Sequence, residues 1–243
     1  MQYEIRGGNL PVLSITLKDG EKVYTESGGM SWMSDNIEME TSTKGGLLKG
    51  IGRMFAGESL FLVNYTSRGK GKITFASEFP GEIKAIKLKT NESIIIQKDS
   101  FLCAEDSVKL EIHFRKKLGT GLFGGEGFIL QKATGPGIVF LEIDGSVTEY
   151  NLDKSEMIKV DTGHIAMYEE SVSYELTTVK GVKNVLFSGE GLFLATLKGP
   201  GKVMLQSMPV RNLANKLLRY MPRTSGGGGK LSGINLGNVF EHD

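Results

Sequence analysis

"GEGFILQKATGPG" runs from Gly125 to Gly137, and "GEGLFLATLKGPG" runs from Gly189 to Gly201, 64 residues later (189 minus 125). A worn third copy, "GESLFLVNYTSRGKG", starts at Gly57. Working outward, "LKDGEKV", "LKTNESI" and "LDKSEMI" put Leu17, Leu88 and Leu152 in one column and Glu21, Glu92 and Glu156 in another. Met30, Phe101 and Ile165 follow in register, then Ile37, Val108 and Val172. A register held over so many columns marks a threefold internal repeat, with units at 12–82, 83–146 and 147–208.

Within a unit the period is two. "SVKLEIHF" sets Val108, Leu110, Ile112 and Phe114 on one face and Lys109, Glu111 and His113 on the other. "NIEMET" and "SVSYEL" repeat the pattern, which is that of a half-buried strand. "SGGM", "KDSF" and "TGHI" fall at equivalent places and read as tight turns. The recurring Gly-x-Gly, at Gly69 and Gly71, Gly135 and Gly137, and Gly199 and Gly201, ends a strand that starts near a Gly-Glu pair. Each unit therefore reads as five or six short strands. Gly57, Glu58, Gly125, Glu126, Gly189 and Glu190 mark one hairpin written three times. A unit of roughly 65 residues buries too little surface alone. The expectation is one all-β domain over 1–222, with three β-lobes in a pseudo-threefold arrangement.

Two stretches break the strand pattern. "TKGGLLKGIGRMFAGES" spaces Leu47, Leu48, Ile51, Met54 and Phe55 helically, with Lys44, Lys49 and Arg53 between them. It is either a short element packed on its own sheet or a basic, apolar face that meets a membrane surface or another subunit. The other lobes carry no matching stripe, so these five residues form the candidate interaction surface. "SMPVRNLANKLLRYMP" predicts a helix over 209–221, with Val210, Leu213, Ala214, Leu217 and Met221 packed on the third lobe and Arg211, Lys216 and Arg219 facing away. A Gly-rich flexible tail is expected over 223–243.

Composition narrows function more than it names it. Glycine supplies 33 of 243 residues, about twice the usual share, which favours turns over long helices. Basic and acidic residues nearly cancel, 29 against 28, leaving no electrostatic footprint for nucleic acid. Cys103 is the only cysteine, so no internal disulfide can form and a reducing, cytoplasmic setting is expected. No basic start with an apolar run opens the chain, and no stretch approaches the length that spans a bilayer.

His113, His164 and His242 are scattered, without metal-ligand spacing. "GTGLFG" matches G-x-G-x-x-G in letters, but a strand follows it where a dinucleotide site needs a helix. An acid–base role for Glu58, Glu126 and Glu190 is set aside, because a catalytic group is rarely needed in triplicate. The basic run "HFRKKLG" lacks the interleaved aromatics of a stacking platform. These readings give no catalytic residue, no cofactor and no metal. They leave a structural or adaptor protein working through protein contacts or self-association, with a nucleic-acid or small-ligand binder as the alternative.

The three hairpin signatures together with "KGGLLKGIGRMFAGESLF" resemble the altered-inheritance-of-mitochondria 24 family, across Tyr3 to about Pro222. The resemblance implies a fold like the tryptophan-RNA-binding attenuation protein, of β-sandwich or double-stranded β-helix type. Eukaryotic members are linked to mitochondrial inner-membrane organisation; no Arg-rich presequence opens this chain, so that location is not carried over. Tryptophan or RNA binding is not carried over either, since fold does not fix function. The family supplies no catalytic residues.

Overall fold

The structure is a computed structural model that describes residues 1–26, 28–42, 62–116, 127–178, 193–218 and 220. After β1 (Gln2–Arg6), the first repeat holds β2 (Val12–Leu17), β3 (Lys22–Glu26), β4 (Trp32–Met33), β5 (Ile37–Ser42), β6 (Leu62–Ser67) and β7 (Gly71–Ala76). The second holds β8 (Gly81–Leu88), β9 (Ser93–Gln97), β10 (Phe101–Glu105), β11 (Lys109–Lys116), β12 (Phe128–Thr134) and β13 (Gly137–Asp144). The third holds β14 (Val147–Leu152), β15 (Met157–Asp161), β16 (Ile165–Glu169), β17 (Ser173–Thr178), β18 (Phe193–Lys198) and β19 (Gly201–Gln206). Leu17, Leu88 and Leu152 each close the first strand of their repeat and are buried. The column alignment is thus a structural equivalence.

The strands form four antiparallel sheets, ordered β1-β2-β7-β4, β5-β6-β3-β10-β13-β8, β11-β12-β9-β16-β19-β14 and β15-β18-β17. In every repeat the first, third and sixth strands lie in one sheet and the second, fourth and fifth in the next. Each repeat is therefore a small sandwich. The two six-stranded sheets continue from one repeat into its neighbour, through the ladders β3·β10 and β9·β16.

This topology corrects the hairpin reading. β12 and β13 lie in different sheets, as do β6 and β7, and β18 and β19. The Gly-x-Gly is a corner at which the chain leaves one sheet for the other. The reason is steric. A Cβ on Gly135 would lie 2.4 Å from the Lys89 carbonyl oxygen, and one on Gly199 would lie 2.4 Å from that of Asp153. Gly137 and Gly201 each hold φ +140°, outside the range of side-chain-bearing residues. Among the described residues, the paired neighbours within a repeat are β5·β6, β11·β12 and β17·β18.

Three apolar clusters fill the sandwiches, and each borrows from next door. The first joins Leu13, Ile73 and Phe75 with Leu102, Cys103 and Phe140 of the second repeat. The middle one takes Tyr24 and Leu62 from the first repeat and Ala166, Met167 and Met204 from the third. The last packs Leu197 and Val203 against Ile95, Phe128 and Leu130 of the second. Strand alternation holds in β11 and β17, but Met39 on β5 is 57% exposed.

Among the described residues a helix, α1 (Val210–Leu218), follows β19. Its predicted orientation holds at half-buried Leu213 and exposed Lys216 and is corrected elsewhere, Ala214 being exposed too. Val210 and Leu217 are half exposed, while Arg211 turns inward to Asp161, Nη2 donating to Oδ1 at 2.8 Å and Oδ2 at 3.1 Å. The Val210 N–H donates to Asp144 Oδ2 at 3.1 Å, which anchors the first turn in that rotation. The tail lies outside the described residues.

Candidate functional site

Leu47, Leu48, Ile51, Met54 and Phe55, and likewise Gly57, Glu58, Gly125, Glu126, Gly189 and Glu190, lie outside the described residues. The described residues carry three other features that bear on function.

A groove of about 460 Å³ is lined by equivalent residues of all three repeats: Gly28, Asp99 and Gly163 from the turns, and Ala76, Glu142 and Gln206 from the last strands. Glu26, Glu78 and Asp144 add acid to its walls, against Lys98 and Arg211. Several of its polar atoms tie one repeat to the next, and others brace the third repeat. Glu142 accepts from Ser77 Oγ and from the Glu78 N–H, and Gln206 Oε1 accepts from the Asp144 N–H at 3.1 Å. The Gln206 amide donates to the Gly163 carbonyl at 2.9 Å, and His164 Nδ1 meets the Gln206 carbonyl at 2.7 Å. Burial pushes the Asp144 carboxyl up to about 6; the Val210 N–H opposes this, and nearby Glu142 and Asp99 add to it. Among the described residues, no three His, Cys, Asp or Glu side chains converge as a metal set.

A second hollow, of about 620 Å³, opens between β11, β16 and β17. Ile95, Phe114, Tyr168 and Tyr174 form its apolar side. The Tyr168 and Tyr174 rings stack at 6.0 Å and 3°, and Phe114 meets Tyr174 edge-on at 5.5 Å. Both tyrosine hydroxyls are buried without a hydrogen-bond partner among the described residues. Desolvation drives both phenols well above their ordinary range, so they stay protonated donors.

The third feature is at the sheet ends. β4 pairs only with β7, and β15 only with β18, among the described residues. Trp32 on β4 is 56% exposed and Met157 on β15 is 55% exposed. Sequence reasoning passed over both. The available signal was the column Trp32, Cys103, Met167, in which the chain's one tryptophan stands where its siblings carry small or flexible core residues. Alternation in "SVSYEL" shows which face Tyr174 takes and not what its hydroxyl meets.

A β protein of three sandwich repeats, joined by shared sheets, is the class that this fold defines. The chain belongs to the family Mitochondrial biogenesis AIM24, which matches residues 3–208. It is similar to an uncharacterised protein of Streptococcus pyogenes serotype M6, 30% identical over 234 residues and 93% of each chain. It is also similar to the crystal structure of protein SPYM3_0169 from Streptococcus pyogenes, with 27% identity and a TM-score of 0.77, covering 90% of this chain and 99% of that one. Among the described residues no helix is long and apolar enough to cross a membrane.

Proposed function

We propose that this chain is a non-enzymatic structural or assembly protein that acts through protein–protein contacts. The observation that carries the reading is the pair of sheet edges, β4 and β15, each of which lacks a strand partner on its outer side among the described residues and carries a large apolar side chain facing solvent. Exposed edges of this kind are sites for pairing with another chain. The groove supports the same reading, since Glu142 and Gln206 each tie their repeat to the one before through a hydrogen bond. A cytoplasmic setting goes with it: Cys103 is a buried free thiol whose ionisation is suppressed by desolvation. Size fractionation of gently lysed native cells tests the proposal. The chain should migrate in an assembly well above its 26.5 kDa mass. Migration as a lone chain, or a turnover abolished by one point change, would overturn it.

A second reading, small-ligand binding, is favoured by the two tyrosine hydroxyls alone, which lack a partner among the described residues. A planar ligand with two acceptor atoms would satisfy them. A thermal-shift screen of small aromatic acids should then raise the melting temperature of the parent and not of Tyr174→Phe. No hit, with Tyr174→Phe simply more stable, would remove this reading.

A further inference from the structure

The two free edges are complementary, and we infer that β4 of one copy pairs antiparallel with β15 of a second copy, joining chains head to tail. The inference rests on the assembly reading above and names its partner.

The junction in question already occurs twice inside the chain. Between the first and second repeats, Tyr24 stands opposite Ala104 and Val23 opposite Glu105, and the Asp106 N–H donates to the Lys22 carbonyl at 3.4 Å. Between the second and third, Ile96 stands opposite Met167, Ile95 opposite Tyr168 and Ile94 opposite Glu169, with the Glu170 N–H donating to the Ser93 carbonyl at 3.4 Å. The two ladders share one register. On their other side, Cys103 and Met167 face Phe140 and Met204 of the last strands, just as Trp32 faces Thr74. Trp32, Cys103 and Met167 are therefore the same position, and so are Lys22, Ser93 and Met157.

Burial shows what is missing at the third junction. Cys103 and Met167 are 0% and 2% exposed, against 56% for Trp32; Tyr24 and Ile95 are 4% and 1% exposed, whereas Lys159 at their position on β15 is exposed. β10 and β16 run for five residues each, whereas β4 runs for two. Among the described residues β4 and β15 form no ladder with each other. A second copy carries both edges in the register that the internal junctions already use, and the contact is heterologous, since a β4 edge meets a β15 edge. Carrying the internal register across gives Trp32 opposite Val160, Met33 opposite Lys159 and Ser34 opposite Ile158. The Asp35 N–H then donates to the Met157 carbonyl of the next chain.

The test uses the full chain. The Ser34→Cys/Ile158→Cys double variant, purified and mildly oxidised, should give a ladder of covalent multiples on a non-reducing gel. Mixing the two single variants should give one covalent dimer and nothing larger. Cys103 is 0% exposed and does not compete. In the inferred register the Lys159 N–H points away from β18, so Lys159→Pro should keep the native circular dichroism while light scattering falls from an assembly to 26.5 kDa.

A fast-migrating monomer with an internal disulfide would show that the edges close on each other within one chain, and would overturn the inference. So would a wild-type assembly that Lys159→Pro leaves intact. If the purified chain is monomeric but its native lysate holds a larger assembly, the inference fails and the assembly reading stands. A monomer in both sinks both.

Discussion

Gly199 has no room for a single added methyl group. A Cβ there would sit 2.4 Å from the Asp153 carbonyl oxygen and 2.7 Å from that of Leu152, and neither backbone atom can swing aside. Gly199→Ala should therefore cost about 1–3 kcal/mol in denaturant unfolding, in line with overpacking of rigid surroundings. Gly8, where an added methyl would meet nothing within 4 Å, is the matched control, and Gly8→Ala should be nearly silent. Asp144 offers a second measurement at this scale. Its folded carboxyl titrates near 6, against about 4 in an unfolded chain, so the folded state holds the extra proton between those values. Stability must then fall as pH rises from about 4 to 6, and the contribution is lost above that window. Asp144→Asn keeps an acceptor for the Val210 N–H and removes the titration. Its unfolding free energy should vary less with pH across the window, by on the order of 1 kcal/mol once solvent screening is allowed for.

Between the first and second strands of every repeat, one glutamate closes the turn. Oε2 of Glu21, Glu92 and Glu156 accepts from the N–H of Lys18, Lys89 and Asp153, at 2.9, 2.7 and 2.8 Å. Each glutamate N–H donates back to the same residue's carbonyl. Glu92→Ala should cost about 0.5–1.5 kcal/mol, Glu156→Ala the same, and the double variant their sum, because the turns share no partner. Equilibrium denaturation of the three variants checks it. These glutamates were legible as a column because the repeat keeps their letter; their role was not, since a turn-closing carboxylate leaves no periodic mark. A parallel device is less visible still. The N–H groups of Lys72, Ile138 and Lys202 are capped by Ser34 Oγ, Glu105 Oε2 and Glu169 Oε2, one job under two letters. Strand number and spacing were readable from alternation. Which strands pair was not, because a corner and a hairpin both ask for glycine, and only the distance to Lys89 or Asp153 separates them. The groove escaped for a related reason: Gly28, Asp99 and Gly163 share a place, not a chemistry.

Repeat proteins often unfold piecemeal, since each unit touches only its neighbours. Here the neighbours share sheets as well as cores, and a single cooperative transition is expected. Trp32, the only tryptophan, sits in the first repeat, so its fluorescence reports that repeat while circular dichroism reports them all. The two curves should coincide; a Trp32 transition at lower denaturant would show the first repeat parting from the rest. The shared core also has a consequence for the order in which the chain is made. Leu13, Ile73 and Phe75 can be fully covered only when Leu102, Cys103 and Phe140 exist, and these leave the ribosome after the whole first repeat. At the usual pace of 5–20 residues per second, the nascent first lobe spends several seconds with one wall of its interior open to water. It is during that interval, not in the finished molecule, that the chain most needs a chaperone's shelter.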